Sequence, residues 1–206
     1  MWIKICGCRA ADDAAAVAAA GADAFGMLLA PGFRRSVDLA TARGIRVAAP
    51  PGLLAFGLFV GQSAAEVAAI AAEVGLDGLQ CHGDGADALY ASFRGRYRLI
   101  RPWDMAGEEP SSGADWLLLE PGAGTGGGRG VPWDWGAVAA RRPAAPFLLA
   151  GGLTPETVGS ACRAVAPGGV DVSTGVETAG RKDPERIARF CAEARRWEHA
   201  LERGGT

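Results

Sequence analysis

Histidine is scarce in this chain, two among 206 residues, and the five cysteines fall without paired spacing. Cys6-x-Cys8 is too tight for a zinc knuckle, so no structural metal is expected. An odd cysteine count without a framework reads as reduced thiols, the pattern of the cytoplasm rather than of a secreted disulfide scaffold. An excess of one charge is also lacking. The formal net charge is −2 and no basic run occurs, which excludes a nucleic-acid footprint. Long apolar runs are absent: the most apolar stretch, residues 53–60, is too short to span a bilayer, and Pro50-Pro51-Gly52 interrupts it upstream. Met1-Trp2-Ile3-Lys4 leads straight into strand-like sequence without the apolar region of a signal peptide. A soluble cytoplasmic protein with no membrane and no nucleic-acid partner is expected.

What remains is ordinary globular composition, 49% hydrophobic and 21% charged. The length suits one domain with a substantial core, so residues 1–206 are expected to form a single domain, with 203–206 a frayed tail. Strand-like stretches recur at residues 3–6, 22–29, 56–60, 78–81, 97–101, 115–120, 146–150 and 170–172. Helical patterns lie between them at 11–20, 38–43, 64–74, 133–140 and 154–165, and a last one spans 184–201. Ser63 and Glu66 form a capping box, whereas 102–113 holds no convincing helix. Strands alternating with helices imply a parallel sheet with right-handed crossovers. Eight units close into an α/β (β/α)8 TIM barrel whose fifth helix is degenerate or missing. An open doubly wound sheet is disfavoured because the residues after Cys6 lack a glycine-rich ligand loop.

In such a barrel, chemistry sits at the carboxyl ends of the strands. Those ends carry Cys6, Arg34 and Arg35, His82 and Asp84, Arg101, Glu120, Gly151-Gly152, Asp171 and Ser173-Thr174-Gly175. Lys4 and Cys6 share one strand face, so the cation can hold some of the thiol as thiolate; plain packing is the competing role. Gly151-Gly152 and Ser173-Thr174-Gly175 follow the seventh and eighth strands, where backbone N–H groups and a helix N-terminus grip phosphate. Glu120 ends a run of leucines, where partial desolvation favours its protonated form and suits a general acid, the alternative being a solvated loop carboxylate. Arg34 and Arg35 can hold a substrate carboxylate by paired N–H donors. His82 is either a ligand or a hydrogen-bonded structural residue. Trp103 stacks on an aromatic substrate or packs. Residues 124–130 are glycine-rich but lack the Gly-Lys-Ser/Thr ending of a P-loop, and read as a lid or as an inert linker.

Six ordered segments resemble the phosphoribosylanthranilate isomerase family of tryptophan biosynthesis: Lys4-Ile5-Cys6-Gly7, Gly57-Leu58-Phe59-Val60, Gln80-Cys81-His82-Gly83-Asp84, Trp133-Asp134-Trp135, Leu149-Ala150-Gly151-Gly152-Leu153-Thr154-Pro155-Glu156 and Val170-Asp171-Val172-Ser173-Thr174-Gly175-Val176-Glu177. The resemblance implies a cofactor-free, metal-free barrel, monomer or homodimer, acting on a small phosphorylated substrate. It implies that Cys6 is the general base and that Glu120 stands where the family's acid is an aspartate. Arg35 would contact the anthranilate carboxylate, His82 and Asp171 would bind substrate, and phosphate would sit against Gly151, Gly152, Ser173, Thr174 and Gly175. The reaction implied is an Amadori rearrangement. Glutamate for aspartate, and Gly61 in place of the family's usual asparagine, leave two alternatives: a divergent relative acting on another phosphorylated amino sugar, or a phosphate-binding barrel without catalysis. A closed barrel also puts the eighth strand beside the first, so Lys4 is expected to pair with Asp171.

Overall fold

Alternation of side chains along eight short strands sets this architecture. The computed structural model describes residues 1–83, 86–110, 113–121 and 134–204, without the side chains of 198–204. Strands β1 (Trp2–Cys6), β2 (Ala24–Leu28), β3 (Leu54–Val60), β4 (Gly78–His82), β5 (Arg98–Trp103), β6 (Trp116–Leu119), β7 (Phe147–Leu149) and β8 (Gly169–Val172) pair in chain order, and β8 returns to β1. All the pairings are parallel, which makes the closed (β/α)8 barrel expected from the spacing. Around it stand α1 (Ala11–Ala19), α2 (Leu39–Ala48), α3 (Ala64–Val74), α4 (Ala86–Phe93), α5 (Trp135–Ala140), α6 (Val158–Val165) and α7 (Pro184–Gly204). Among the described residues no helix is long and apolar enough to cross a membrane.

Odd-numbered residues of β1, such as Ile3 and Ile5, join the large core between strands and helices. Even-numbered residues face the barrel axis. There Ala24, Phe56, Ile100, Leu118, Leu148 and Ala150 form a separate apolar plug. Trp2 closes the floor, its ring stacked 6.1 Å from Trp116 and meeting Phe56 edge-on at 5.8 Å. With the lower barrel filled, only the upper end is open to polar side chains.

The differences from the sequence pattern have local causes. Helix α2 continues through Gly44 to Ala48, because Asp38 caps it through Thr41 N–H at 2.7 Å and Ala42 and Ile45 bury its inner face. Helix α4, which the pattern did not reveal, is held by Tyr90: its hydroxyl donates to Ile100 O at 2.7 Å and accepts from Cys81 N–H at 2.9 Å. Helix α6 begins at Val158 rather than at 154, because Pro155 disfavours a helical Thr154 and residues 155–157 form a turn. Helix α7 runs on to Gly204, so residues 203 and 204 of the expected frayed tail carry helical backbone; 205 and 206 lie outside the described residues. The β5–β6 connection holds no helix in its described part. Arg141 covers that flank instead, its guanidinium 5.4 Å from the Trp103 ring centre and donating to the Met105 and Gly107 carbonyls.

Closure places Lys4 opposite Asp171 in register, and Lys4 Nζ lies 2.8 Å from Asp171 Oδ1 and 3.0 Å from Gln80 Oε1. The pairing expected across the seam is therefore present. Burial opposes the charge of Lys4, but the charges of Asp171 and Cys6 and the hydrogen bond to Asp171 outweigh it and raise the ammonium above its ordinary pKa. Lys4→Met leaves a nearly buried carboxylate without its cation and is expected to cost about 3 kcal/mol in urea denaturation. Adding Asp171→Leu, which makes the pair apolar, is expected to recover much of that loss. Equal stability of the wild type and Lys4→Met would show that the pair contributes nothing.

Candidate active site

The upper barrel holds a cavity of about 470 Å³. Its wall includes the ten residues to which the family resemblance gives site roles: Cys6, Arg35, His82, Glu120, Gly151, Gly152, Asp171, Ser173, Thr174 and Gly175. They come from the ends of β1, β4, β6, β7 and β8 and from the loop after β2.

Cys6 is only 8% exposed and faces the axis above Lys4. Gly26 on the neighbouring strand makes this possible, since a Cβ there would lie 3.3 Å from both Cys6 Sγ and Lys4 Cε and 3.0 Å from Leu58 Cδ1. Burial pushes the Cys6 thiol up to about 11; the nearby Lys4 charge pulls the other way, and the charges of Asp171 and Glu120 add to the rise. The expectation that Lys4 holds a resting thiolate is therefore corrected. Its ammonium is committed to Asp171, and desolvation of the sulfur wins.

Glu120 sits one residue beyond β6, half-buried, with its N–H donating to Trp103 O at 3.1 Å. His82 Nε2 lies 2.9 Å from Gln80 Nε2, which extends the polar chain that begins at Asp171 and passes through Lys4. Gln80 opens a recognised segment but was not read as a site residue. Its inward parity between Gly78 and His82 was the available signal.

At the other end, Gly151 and Gly152 turn the chain at φ of +83° and +67°. The exit of β8 winds into a single 3₁₀ turn (Thr174–Val176) pressed against the β7 exit, so a Cβ on Gly175 would lie 1.8 Å from Leu153 O. Arg186, from α7, grips the Gly175 carbonyl through Nε at 3.2 Å and Nη2 at 3.0 Å. Gly175→Ala must separate the two loops, and overpacking of that kind costs on the order of 1–3 kcal/mol. The variant is expected to melt lower and to bind inorganic phosphate about tenfold more weakly by calorimetry. Wild-type affinity would show that the two loops do not act as one phosphate pocket.

Arg35 Nε donates to Glu177 Oε1 at 2.7 Å, and its Nη2 donates to Thr174 Oγ1 at 2.8 Å and to Glu177 Oε2 at 3.2 Å. Arg34, half-exposed at the rim, reaches the same carboxylate at 3.0 Å. Glu177, Lys182 and Arg186 were missed as site residues; only Glu177 lay in a recognised segment, as its last residue.

Arg101 and Trp103 do not reach the cavity. Ile100 fills the barrel side of β5, so its odd-numbered neighbours face the helices. There Arg101 lies against Asp87 and 5.7 Å from the Tyr90 ring centre, while Trp103 Nε1 donates to Ala106 O at 3.0 Å. Trp103 packs. Phe33, on the loop after β2, is instead the large aromatic at the mouth. Asp84, the expected lid at 124–130 and Trp133 lie outside the described residues. Among the described residues no group of three or more His, Cys, Asp or Glu could hold a metal ion.

Residues 3–193 match the sequence profile described as N-(5'phosphoribosyl)anthranilate (PRA) isomerase. The N-(5'-phosphoribosyl)anthranilate isomerase of Cereibacter sphaeroides is 39% identical over 207 residues, covering 94% of this chain and 98% of that relative. Among solved structures, TrpF from Jonesia denitrificans superposes with a TM-score of 0.84 at 33% identity, covering 96% of this chain and 98% of its own. A phosphoribosyl anthranilate isomerase in complex with reduced 1-(o-carboxyphenylamino)-1-deoxyribulose 5-phosphate gives a TM-score of 0.79 at 30% identity, covering 95% and 98% of the two chains. The profile runs from β1 into α7 and the relatives match almost end to end: the chain belongs to the N-(5'-phosphoribosyl)anthranilate isomerase family.

Proposed function

We propose that this protein isomerises N-(5'-phosphoribosyl)anthranilate to 1-(2-carboxyphenylamino)-1-deoxyribulose 5-phosphate, a step of tryptophan biosynthesis. The observation that carries this reading is the shared cavity: a thiol on β1 and a carboxyl after β6 open on one space bounded by the glycine loops of β7 and β8.

Glu120 in its acid form donates a proton to the furanose ring oxygen. The C1'–O bond breaks, and the anthranilate nitrogen lone pair forms the C1'=N iminium. Cys6 as thiolate then takes the proton from C2', and the electron pair of that bond forms the C1'=C2' enolamine. Tautomerisation carries the C2' hydroxyl proton to C1' and yields the ketone. The thiol is neutral at rest: its proton passes to solvent, which also returns a proton to Glu120, and the iminium beside C2' favours the thiolate because it is a nearby cation. Arg35 holds the substrate carboxylate, the two glycine-bearing loops hold the phosphate, and Phe33 covers the aromatic ring.

Purified protein supplied with freshly made phosphoribosylanthranilate is expected to consume its fluorescence with saturable kinetics. A rate no greater than that of substrate in buffer would overturn the reading.

A further inference from the structure

Beyond the 3₁₀ turn, β9 (Glu177–Thr178) and β10 (Arg181–Lys182) form a short antiparallel hairpin, turned at Ala179 and Gly180 with φ of +49° and +75°. This hairpin brings Lys182 back beside Glu177, whose side chain is 4% exposed. Three cations meet on that one carboxylate: Arg35 through two donors, Lys182 Nζ at 3.0 Å from Oε1, and Arg34 Nη2 at 3.0 Å from Oε2. Two of the three continue into the phosphate loop. Arg35 Nη2 also reaches Thr174 Oγ1, and Lys182 Nζ also donates to Ser173 O at 3.0 Å. Among the described residues, Arg35 Nη1 makes no hydrogen bond.

Burial pushes the Glu177 carboxyl up, but the hydrogen bond from Arg35, the charge of Lys182 and the bonds from Arg34 and Lys182 bring it down to about 2. It is therefore ionised wherever the enzyme would work. Three cations around one anion still leave positive charge in excess at the mouth, which suits a ligand carrying both a carboxylate and a phosphate.

We propose that Glu177 is a positioning residue that clamps Arg35 by its Nε edge, so that the remaining edge of the guanidinium meets the substrate carboxylate in a fixed plane. A paired carboxylate orients a guanidinium because the two planar groups match donor to acceptor. Through Lys182 the same carboxylate holds the Ser173 carbonyl, which couples recognition at the aromatic end to the phosphate end. This rests on the reading that Arg35 binds the carboxylate.

The test compares phosphoribosylanthranilate with N-(5-phosphoribosyl)aniline, which lacks only the carboxylate. The wild type is expected to favour the carboxylated compound in kcat/KM. Glu177→Gln is expected to raise KM for that compound about tenfold with kcat little changed, and to collapse the preference toward unity. Glu177→Asp restores part of the preference, and Glu177→Gln adds nothing in an Arg35→Ala background. A Glu177→Gln protein that melts lower yet keeps the preference would overturn the proposal by making the residue merely structural. If that variant fails to fold, the comparison passes to Glu177→Asp, where an unchanged preference and unchanged KM also overturn it. Wild-type enzyme inactive on phosphoribosylanthranilate refutes the proposed function itself, whereas active wild type with no preference refutes the carboxylate role of Arg35, and the clamp falls with either.

Discussion

Cys6→Ser is expected to lower kcat by about 10²–10⁴, the usual worth of a positioned general base. Serine is close to cysteine in size, so the pocket beside Gly26 keeps its shape and KM changes little. What is lost is an acid weak enough to stay protonated at rest yet able to ionise when substrate arrives. The pH profile separates this role from packing. With burial holding the thiol near 11, the base form is scarce at neutral pH and grows as pH rises. In the wild type the general acid's loss of its proton offsets that growth, so the thiol is read in a Glu120→Gln background, where residual kcat/KM is expected to climb roughly tenfold per pH unit between about 7 and 10. Adding Cys6→Ser should remove that limb. Initial rates from substrate fluorescence give both quantities, and a flat Glu120→Gln profile would remove Cys6 from the base role.

Glu120→Gln is expected to cost a similar factor, about 10²–10⁴ in kcat, because the amide keeps the side chain's length but cannot deliver the proton. Retained kcat would end the assignment. Glu120→Asp asks a different question. The relatives' chemistry is implied to use an aspartate here, and a reacting group displaced by about 1 Å can lose on the order of a hundredfold. If the half-buried end of β6 has adjusted to the longer acid, shortening it lowers kcat on phosphoribosylanthranilate by about that factor. A faster Glu120→Asp enzyme would favour the second reading, in which the natural substrate is another phosphorylated amino sugar.

The barrel was legible because its strands announce themselves by apolar runs, and several of them a second time by the reactive residue that ends the run. Cys6, Glu120, Asp171 and the loops at 151–152 and 173–175 all followed from that rule, and closure of the barrel put Lys4 beside Asp171. Parity also held the answer for Arg101 and Trp103: Ile100 faces inward on β5, so the odd-numbered positions 101 and 103 had to face the helices. What sequence could not supply was the balance of competing terms. Lys4 stands near the thiol as expected, yet its charge is already matched by Asp171, and burial decides the ionisation of Cys6. Arg34 and Arg35 were readable as carboxylate binders, but their anchor at Glu177 depends on a two-residue hairpin folding back, for which no local pattern speaks. Helix α4 stayed hidden for a related reason, since its anchor Tyr90 draws its partners from two strands.

The seam between β1 and β8 also governs how the protein is made. The hydrogen bond from Lys4 to Asp171 joins residues 167 apart in the chain, and α7 adds a second tie of long span through Arg195, which donates to Met1 O, to Gly21 O at 3.2 Å and to Asp23 Oδ2 at 3.0 Å, at the starts of β1 and β2. Contacts of such span form late and slowly. During synthesis at about 5–20 residues per second, roughly ten to thirty seconds separate β1 from β8. For that interval one edge of β1 is an open strand in a crowded solution. An inward-pointing charge is a known guard against edge-to-edge pairing, and Lys4 supplies it: the ammonium that ends up in the barrel wall first protects the strand that waits for its last neighbour.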